Sequence, residues 1–340
     1  MSKPLYRIVL RDAWRTTWRH RRLWVWGLFA GLLGNAGEYQ FLITATDRIV
    51  SRQPFSDWAT ALLQTPPVSG RTLKGLWLAI TTEPFSTLVI LTIGLVIIGT
   101  AVLFVWLTMT SVIALIKGAA AVAAGDNVPP LAEGVAAGHK LFGPVLVLYL
   151  FGKLLLWFLL TLLVLLGVLS LYDIFIGFPL FLVAFVLVVP ALFTVSFVIR
   201  YAIMATVLRA GSLLESIDWA ITLFRQHWLI TVELAFLLFV VNVAVGIALV
   251  SLVSLFVIPL FIGAFAVWQL GFATWAALLM GLAIFLFLVF LLSLGSALGT
   301  FQWIAWTNLY LQLHERGHLS KLARFFNAVV VRKTATPRQR

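Results

Sequence analysis

The chain contains 340 residues, of which 62% are hydrophobic and 11% are charged, and its formal net charge is +12. Soluble globular proteins carry about 25% charged residues, so this composition excludes that class. Apolar runs longer than the roughly 20 residues that cross a bilayer predict an all-α, polytopic membrane protein. The runs are continuous rather than alternating, which excludes a transmembrane β-barrel. The absence of cysteine excludes a disulfide framework and thiol catalysis.

Basic residues are concentrated near the two ends of the chain. Seven Lys and Arg residues precede Trp24 and seven follow His314, whereas the apolar runs between them are nearly free of charge. Basic clusters beside membrane helices orient such segments toward the cytoplasm and hold anionic lipid. A nucleic-acid footprint would need a basic soluble domain, and the sequence contains none. We therefore expect a plasma-membrane protein with both termini in the cytoplasm, anionic lipid as a partner and no nucleic-acid ligand.

The first 30 residues predict a surface helix that bends into the membrane, a module called an elbow below. At helical spacing, an apolar stripe that includes Trp14 and Trp18 runs beside a polar stripe of arginines. The candidate lipid-binding residues of the polar stripe are Arg7, Arg11, Arg15, Arg19 and Arg22. Such a helix lies in the plane of the bilayer surface, with its rings in the headgroup layer and its arginines at lipid phosphates.

The elbow recurs along the chain. Elbows are predicted at residues 5–22, 131–142 and 211–228, and the hairpins that follow them span residues 23–117, 145–209 and 229–312. Ser212 and Glu215 form a capping box at the start of the third elbow. Glycine and proline predict a loop at 118–130 and a turn at 263–274. With an amphipathic helix at 318–331 and a basic tail at 332–340, the prediction is one domain of about six spans in three repeats.

Three short patterns resemble those of a broad bacterial family of uncharacterised six-helix membrane proteins. They are Trp14-x-x-x-Trp18 followed by Trp24, Leu213-Leu-Glu-Ser216, and Leu309-Tyr-Leu-Gln-Leu313. In these three patterns the chain is also similar to the membrane domain attached to some glycerophosphodiester phosphodiesterases. The resemblance implies only the six-helix architecture. The membrane part uses up the 340 residues, so we expect no phosphodiesterase activity.

The segment from His314 to His318 matches the H-E-x-x-H pattern of zinc metalloproteases. On a helix, two histidines four residues apart share one face for Zn²⁺, and the glutamate between them, Glu315, activates water. A third ligand would have to come from another cytoplasmic element: Asp126, Glu133, Glu215, Asp218 or His227. Gly317 suits a helix end better than a metal-bearing helix. We therefore favour a run of interfacial polar residues, with no metal and no cofactor.

Three charged residues within the predicted spans are further candidates, because charges inside a bilayer are costly and often functional. Lys153 and Glu233 lie in the third and fifth spans and are able to pair within the bundle. Glu38 lies where glycines interrupt the first span, and such broken helices line cavities in transporters. The competing interpretations are a structural ion pair and an interfacial carboxylate that reaches toward water.

Small residues predict close helix packing at two places. Gly27, Gly31 and Gly34 form one stripe, and Gly295 and Gly299 form another. Such stripes allow helix backbones to approach, either within one chain or between two copies.

Three functional hypotheses follow from these observations. The favoured one is a non-catalytic membrane protein that organises lipid or a partner protein, or a second copy of itself, through its cytoplasmic elbows. The second is a transporter of a lipid or small amphiphile, which requires a continuous polar path. The third is the metalloprotease. Convergent acid, base and nucleophile residues are otherwise lacking in the sequence, which favours the first hypothesis over an enzyme.

Overall fold

The computed structural model of the protein describes residues 5–31, 81–82, 84–172, 175–209 and 211–316. In these ranges the regular structure is helical throughout, without a strand. The helices are α1 (Leu5–Arg19), α2 (Leu23–Ala30), α3 (Pro84–Ala124), α4 (Leu131–Tyr172), α5 (Gly177–Arg209), α6 (Leu213–Leu252), α7 (Ile258–Gln269) and α8 (Ala273–Arg316). A single π-helical turn, Val253–Val257, joins α6 to α7.

Five helical stretches among the described residues are long and apolar enough to cross a membrane. Four lie in α3, α4, α5 and α8, and the fifth runs from Leu213 to Gln269 through α6 and α7. Their outward side chains are mostly large and apolar, which suits contact with lipid rather than water. The protein is therefore an all-α, multi-pass membrane protein. The first of the six predicted spans starts at Leu23, and its continuation beyond Gly31 lies outside the described residues.

Two predicted loop boundaries were wrong. Helix α3 continues two turns beyond the predicted end of the first hairpin, to Ala124, because its last turns are rich in alanine, the strongest helix former. Gly125 ends it with a φ of +90°, and the Asp126 amide donates to the Ala121 carbonyl at 2.9 Å. The turn predicted at 263–274 is limited to the few residues between α7 and α8, around Gly271, whose φ is +84°.

The second predicted elbow is not a separate helix. Helix α4 runs without a break from Leu131 to Tyr172 and contains Pro144, so the boundary predicted between residues 142 and 145 was wrong. Proline is tolerated inside membrane helices because neighbouring groups satisfy the carbonyl that it frees. The third elbow does have a boundary, since His227 has non-helical angles of φ −129° and ψ 26° that divide α6.

The capping box at the start of the third elbow is confirmed. The Ser212 amide donates to the Glu215 carboxylate at 3.1 Å, and the Glu215 amide donates to the Ser212 hydroxyl at 3.3 Å. The apolar stripe predicted from helical spacing in this segment is only partly buried; its members are Leu213, Leu214, Ile217, Ala220, Ile221 and Phe224. Ala220 is buried as predicted, together with Ser216 and Leu223, whereas Leu214 is 80% exposed.

The chain divides into two compact units. The first comprises Met1–Leu32, Thr108–Lys153 and Phe193–Arg340, and the second comprises Leu33–Leu107 and Leu154–Leu192. The core of the first unit is built from one buried stripe on each of its helices: Ile113 and Ile116 on α3, Leu148 on α4, Met204 on α5, Leu234 on α6 and Ile304 on α8. In the second unit, Phe181 packs against Phe185 and lies next to Gly167.

Helix α2 packs backbone to backbone against α8 in the first unit. A Cβ atom on Gly299 would lie 2.6 Å from the Gly27 carbonyl oxygen. The Thr300 hydroxyl donates to the Leu23 carbonyl at 3.2 Å, and the Ser296 hydroxyl donates to the Trp24 carbonyl. The predicted close approach is thus confirmed for these two glycines, and it occurs within one chain.

Candidate functional site

Helix α1 separates buried from charged residues along its length. Val9, Ala13 and Thr17 are buried, and α1 packs against α8 and α6. All five predicted arginines are exposed: Arg7, Arg11, Arg15, Arg19 and Arg22. The rotation of α1 is therefore set by its buried stripe. Its four arginines form a row on its outer side, and Arg22 lies in the turn that follows.

Trp14 and Trp18 lie beside that row rather than in the buried stripe. They are 55% and 43% exposed, so the predicted apolar stripe is buried against the protein at Val9, Ala13 and Thr17 but not at these two rings. Their predicted place in the headgroup layer stays a prediction. Their rings contact each other at a centroid distance of 5.5 Å, and Trp14 also meets Phe301 of α8 edge-on at 6.0 Å. Smaller residues fill the tight contact with the protein, which leaves the two indoles at the edge of α1.

A short turn holds α1 at an angle to α2. The Leu23 amide donates to the His20 carbonyl at 3.0 Å, and the Trp24 indole N–H donates back to the Thr17 carbonyl at 2.9 Å. The Trp24 ring also meets Trp18 edge-on at 5.2 Å. Side-chain and backbone contacts together fix the entry of the chain into α2.

The charge of this segment comes from arginine at physiological pH. Partial burial, together with the neighbouring Arg19 charge, lowers the pKa of His20 below its ordinary value. The imidazole is therefore largely neutral at pH 7, whereas guanidinium groups keep their charge throughout the physiological range. The one acid in α1 is Asp12, which is exposed on the same outer side.

Two arginines of α5 that the sequence analysis did not select contact tryptophan rings in the first unit. The Arg200 guanidinium lies 4.8 Å from the ring centroid of Trp306, and that of Arg209 lies 4.0 Å from Trp219. Neither arginine forms an ion pair with a carboxylate among the side chains that the structure describes. Arg200 could have been noticed as a charge within an apolar run. The pairing of Arg209 with Trp219 depends on the tertiary structure.

The first histidine of the H-E-x-x-H segment belongs to the same surroundings. His314 meets the Trp219 ring edge-on at 5.3 Å and stacks on Tyr310 at 6.4 Å with an angle of 13°. Among the described residues, no three His, Cys, Asp or Glu side chains come together as metal ligands. Gly317 and His318 lie outside the described residues, and so does the side chain of Glu315. The metalloprotease therefore stays a hypothesis.

The in-span charges are only partly described. Lys153 is half-buried, with its ammonium 5.4 Å from the Tyr149 ring centroid, and Glu233 is also half-buried. Both residues make further interactions, and their mutual pairing stays a prediction. Glu38, on which the transport hypothesis depends most, lies outside the described residues, as do Gly34 and the helix predicted at 318–331.

The chain matches no protein-family model, no curated protein and no solved structure. Its function must therefore be argued from its own residues.

Proposed function

We propose that this protein is a non-catalytic integral membrane protein that gathers anionic lipid beneath the arginine row of α1. The observation that supports this most strongly is the division of α1 into a buried stripe and four exposed arginines, with the exposed Arg22 in the turn that follows. A helix anchored on its inner side presents its outer charges to the headgroup layer in a fixed arrangement. A row of this kind suits lipid phosphates spread over a surface better than a single soluble ligand.

The proposal includes the orientation of the protein. Both termini are placed in the cytoplasm at the plasma membrane, where anionic lipids attract basic segments flanking membrane helices. The arrangement is completed by the predicted first span, which begins at Leu23. In it, α1 and the starts of α4 and α6 lie on the cytoplasmic side. Trp14 and Trp18 then sit at the depth where amphipathic rings are stable, between headgroups and acyl chains.

Electrostatics give the expected strength of the interaction. A basic residue close to an anionic bilayer surface contributes about 1 kcal/mol, or about a fivefold gain in affinity. Several arginines in one row therefore give a large preference for anionic over zwitterionic lipid, and salt weakens it because the charges are exposed.

A lipid titration of the purified protein tests the proposal. The protein in neutral detergent is titrated with phosphatidylglycerol or with phosphatidylcholine, at low and at high salt. The shift of its thermal unfolding midpoint with lipid concentration gives the affinity for each lipid. In the variant, Arg7, Arg11, Arg15 and Arg19 are replaced by glutamine; in the control, the same four are replaced by lysine. We expect the glutamine variant to lose affinity for phosphatidylglycerol by on the order of a hundredfold or more, while the lysine control keeps most of it.

An unchanged preference for phosphatidylglycerol in the glutamine variant would contradict the proposal. Equal loss in the lysine control would also count against it, because the row would then act through guanidinium geometry at specific contacts rather than through charge.

A further inference from the structure

Three hydrogen-bond donors lie together where α5, the start of α6 and the end of α8 meet. The Tyr310 hydroxyl lies beside the Trp219 indole nitrogen and the Arg209 guanidinium. Tyr310 is only 1% exposed, yet its hydroxyl oxygen and the Trp219 nitrogen are both buried without a hydrogen-bond partner of acceptable geometry among the described residues. Buried polar groups are normally paired. Even if the phenol oxygen accepted from the neighbouring indole or guanidinium N–H, the phenol O–H would still lack an acceptor, so the cluster is short of at least one acceptor.

The charge at this place is positive. Arg209 is exposed and lies over the Trp219 ring, and a guanidinium over an aromatic ring keeps N–H donors for an oxyanion. Glu215 is occupied by the capping box with Ser212, and no described carboxylate pairs with Arg209. The missing acceptor is therefore expected to be an anion rather than a neutral group.

The cluster lies at the same end of the first unit as α1. Trp14 of α1 contacts Phe301, and Tyr310 follows nine residues later on α8, about 13 Å further along the helix. His314 stands at the exposed edge of the cluster, stacked on Tyr310. If the arginine row lies in the headgroup layer, the cluster is within reach of lipid phosphates.

We propose that Arg209, Trp219 and Tyr310 form a binding site for one phosphoryl group, that of a lipid headgroup or of a soluble phosphate. The phosphoryl oxygens accept from the guanidinium, the indole N–H and the phenol O–H, which supplies the acceptor that both buried donors lack. Tyr310 is almost fully buried, so binding requires the exposed Arg209 side chain to move and admit the ligand. The lipid form of this proposal rests on the proposed function, since it requires this end at the membrane interface; the soluble form does not.

The test uses one isosteric variant and one charge variant. Tyr310→Phe removes only the unpaired hydroxyl, so without ligand the variant is expected to be as stable as the native protein or more so. Its affinity for a phosphoryl ligand is expected to fall about tenfold, and Arg209→Gln is expected to lower it further. The matched control is Arg225→Gln, an exposed arginine on the same segment of α6 that is outside the cluster.

Binding is measured on the full-length protein in two arms. Native mass spectrometry counts retained dioleoyl-phosphatidylglycerol against dioleoylglycerol, which lacks the phosphate, and thermal unfolding is followed during titration with inorganic phosphate. Retention of one phosphatidylglycerol that is reduced by both variants and kept by the control supports a lipid site. A phosphate-dependent shift with the same variant pattern supports a soluble ligand.

The proposal is overturned if Tyr310→Phe and Arg209→Gln bind both probes as the native protein does, or if neither probe binds. The four-glutamine variant of α1 separates this site from the proposed function. It is expected to keep the single retained phosphatidylglycerol while losing the general, salt-sensitive preference for anionic lipid. Loss of both by the same variant would show that the cluster has no affinity of its own.

Discussion

At the scale of single residues, Arg200 shows how a charge is accommodated within a candidate span. It lies nine residues before the end of α5, about 13 Å along the helix, and is half-buried. Among the described residues, its guanidinium contacts the face of the Trp306 ring rather than a carboxylate. A guanidinium over a desolvated indole gains up to about 2 kcal/mol, which offsets part of the cost of removing the charge from water.

A double-mutant cycle measures this contact. Trp306→Leu is expected to lower the free energy of unfolding by about 3 kcal/mol, because the indole is almost fully buried. When Arg200 is already replaced by methionine, Trp306→Leu is expected to cost about 1 kcal/mol less. In that background the loss of the indole no longer removes a cation–π contact from a guanidinium. Reversible unfolding in mixed micelles gives the four free energies. Additive effects within about 0.3 kcal/mol would show that the contact contributes nothing.

At the scale of elements, the break between α1 and α2 and the kink within α6 are formed by different local contacts. The bend between α1 and α2 is a turn held by the Trp24 indole. The bend in α6 is a non-helical residue, His227, whose carbonyl accepts from the Thr231 hydroxyl at 3.0 Å. The Tyr201 hydroxyl oxygen lies 2.7 Å from the Thr231 hydroxyl oxygen. Because the single hydroxyl proton of Thr231 is donated to the His227 carbonyl, Tyr201 is the donor in this second bond. Helix α5 is thereby tied to the bend in α6.

The contact between α2 and α8 gives a matched pair of substitutions. Gly299→Ala places a methyl group against the Gly27 carbonyl, so the helices must separate, and we expect a loss of about 1 to 3 kcal/mol. At Gly295 the same change meets no atom within 4 Å. Gly295→Ala is therefore expected to be neutral or to stabilise by up to about 1 kcal/mol through helix propensity. Thermal unfolding in detergent compares the two, and equal effects would contradict the backbone contact.

The sequence was sufficient for features that depend on composition or on neighbouring residues. The apolar runs predicted the membrane class, Ser212 and Glu215 predicted a capping box that forms, and Gly27 and Gly299 predicted a close approach that exists. The sequence was insufficient where tertiary contacts decide. Leu214 is exposed because the buried face of its segment includes Ser216 and Leu223 beside the predicted Ala220. No spacing rule brings Arg209, Trp219 and Tyr310 together from three helices.

At the scale of the whole molecule, α1 and the cluster around Arg209 both contact the second half of α8. Trp14 of α1 meets Phe301, and the cluster includes Tyr310 and lies against His314. The remaining outward surfaces of the long helices are largely apolar. This distribution suits a protein anchored by its spans, with its distinctive chemistry in one interface of the bilayer.

The most direct test of the central claim is the depth of α1 in a bilayer. The native chain has no cysteine, so Trp14→Cys and Arg15→Cys each give one site for a nitroxide label. In vesicles containing phosphatidylglycerol, electron paramagnetic resonance reports collisions of the label with oxygen, which concentrates in lipid, and with a water-soluble nickel complex. The label at position 14 is predicted to favour oxygen and the label at position 15 to favour nickel. If both labels favour nickel to the same degree, α1 lies in water and the proposed lipid role is contradicted.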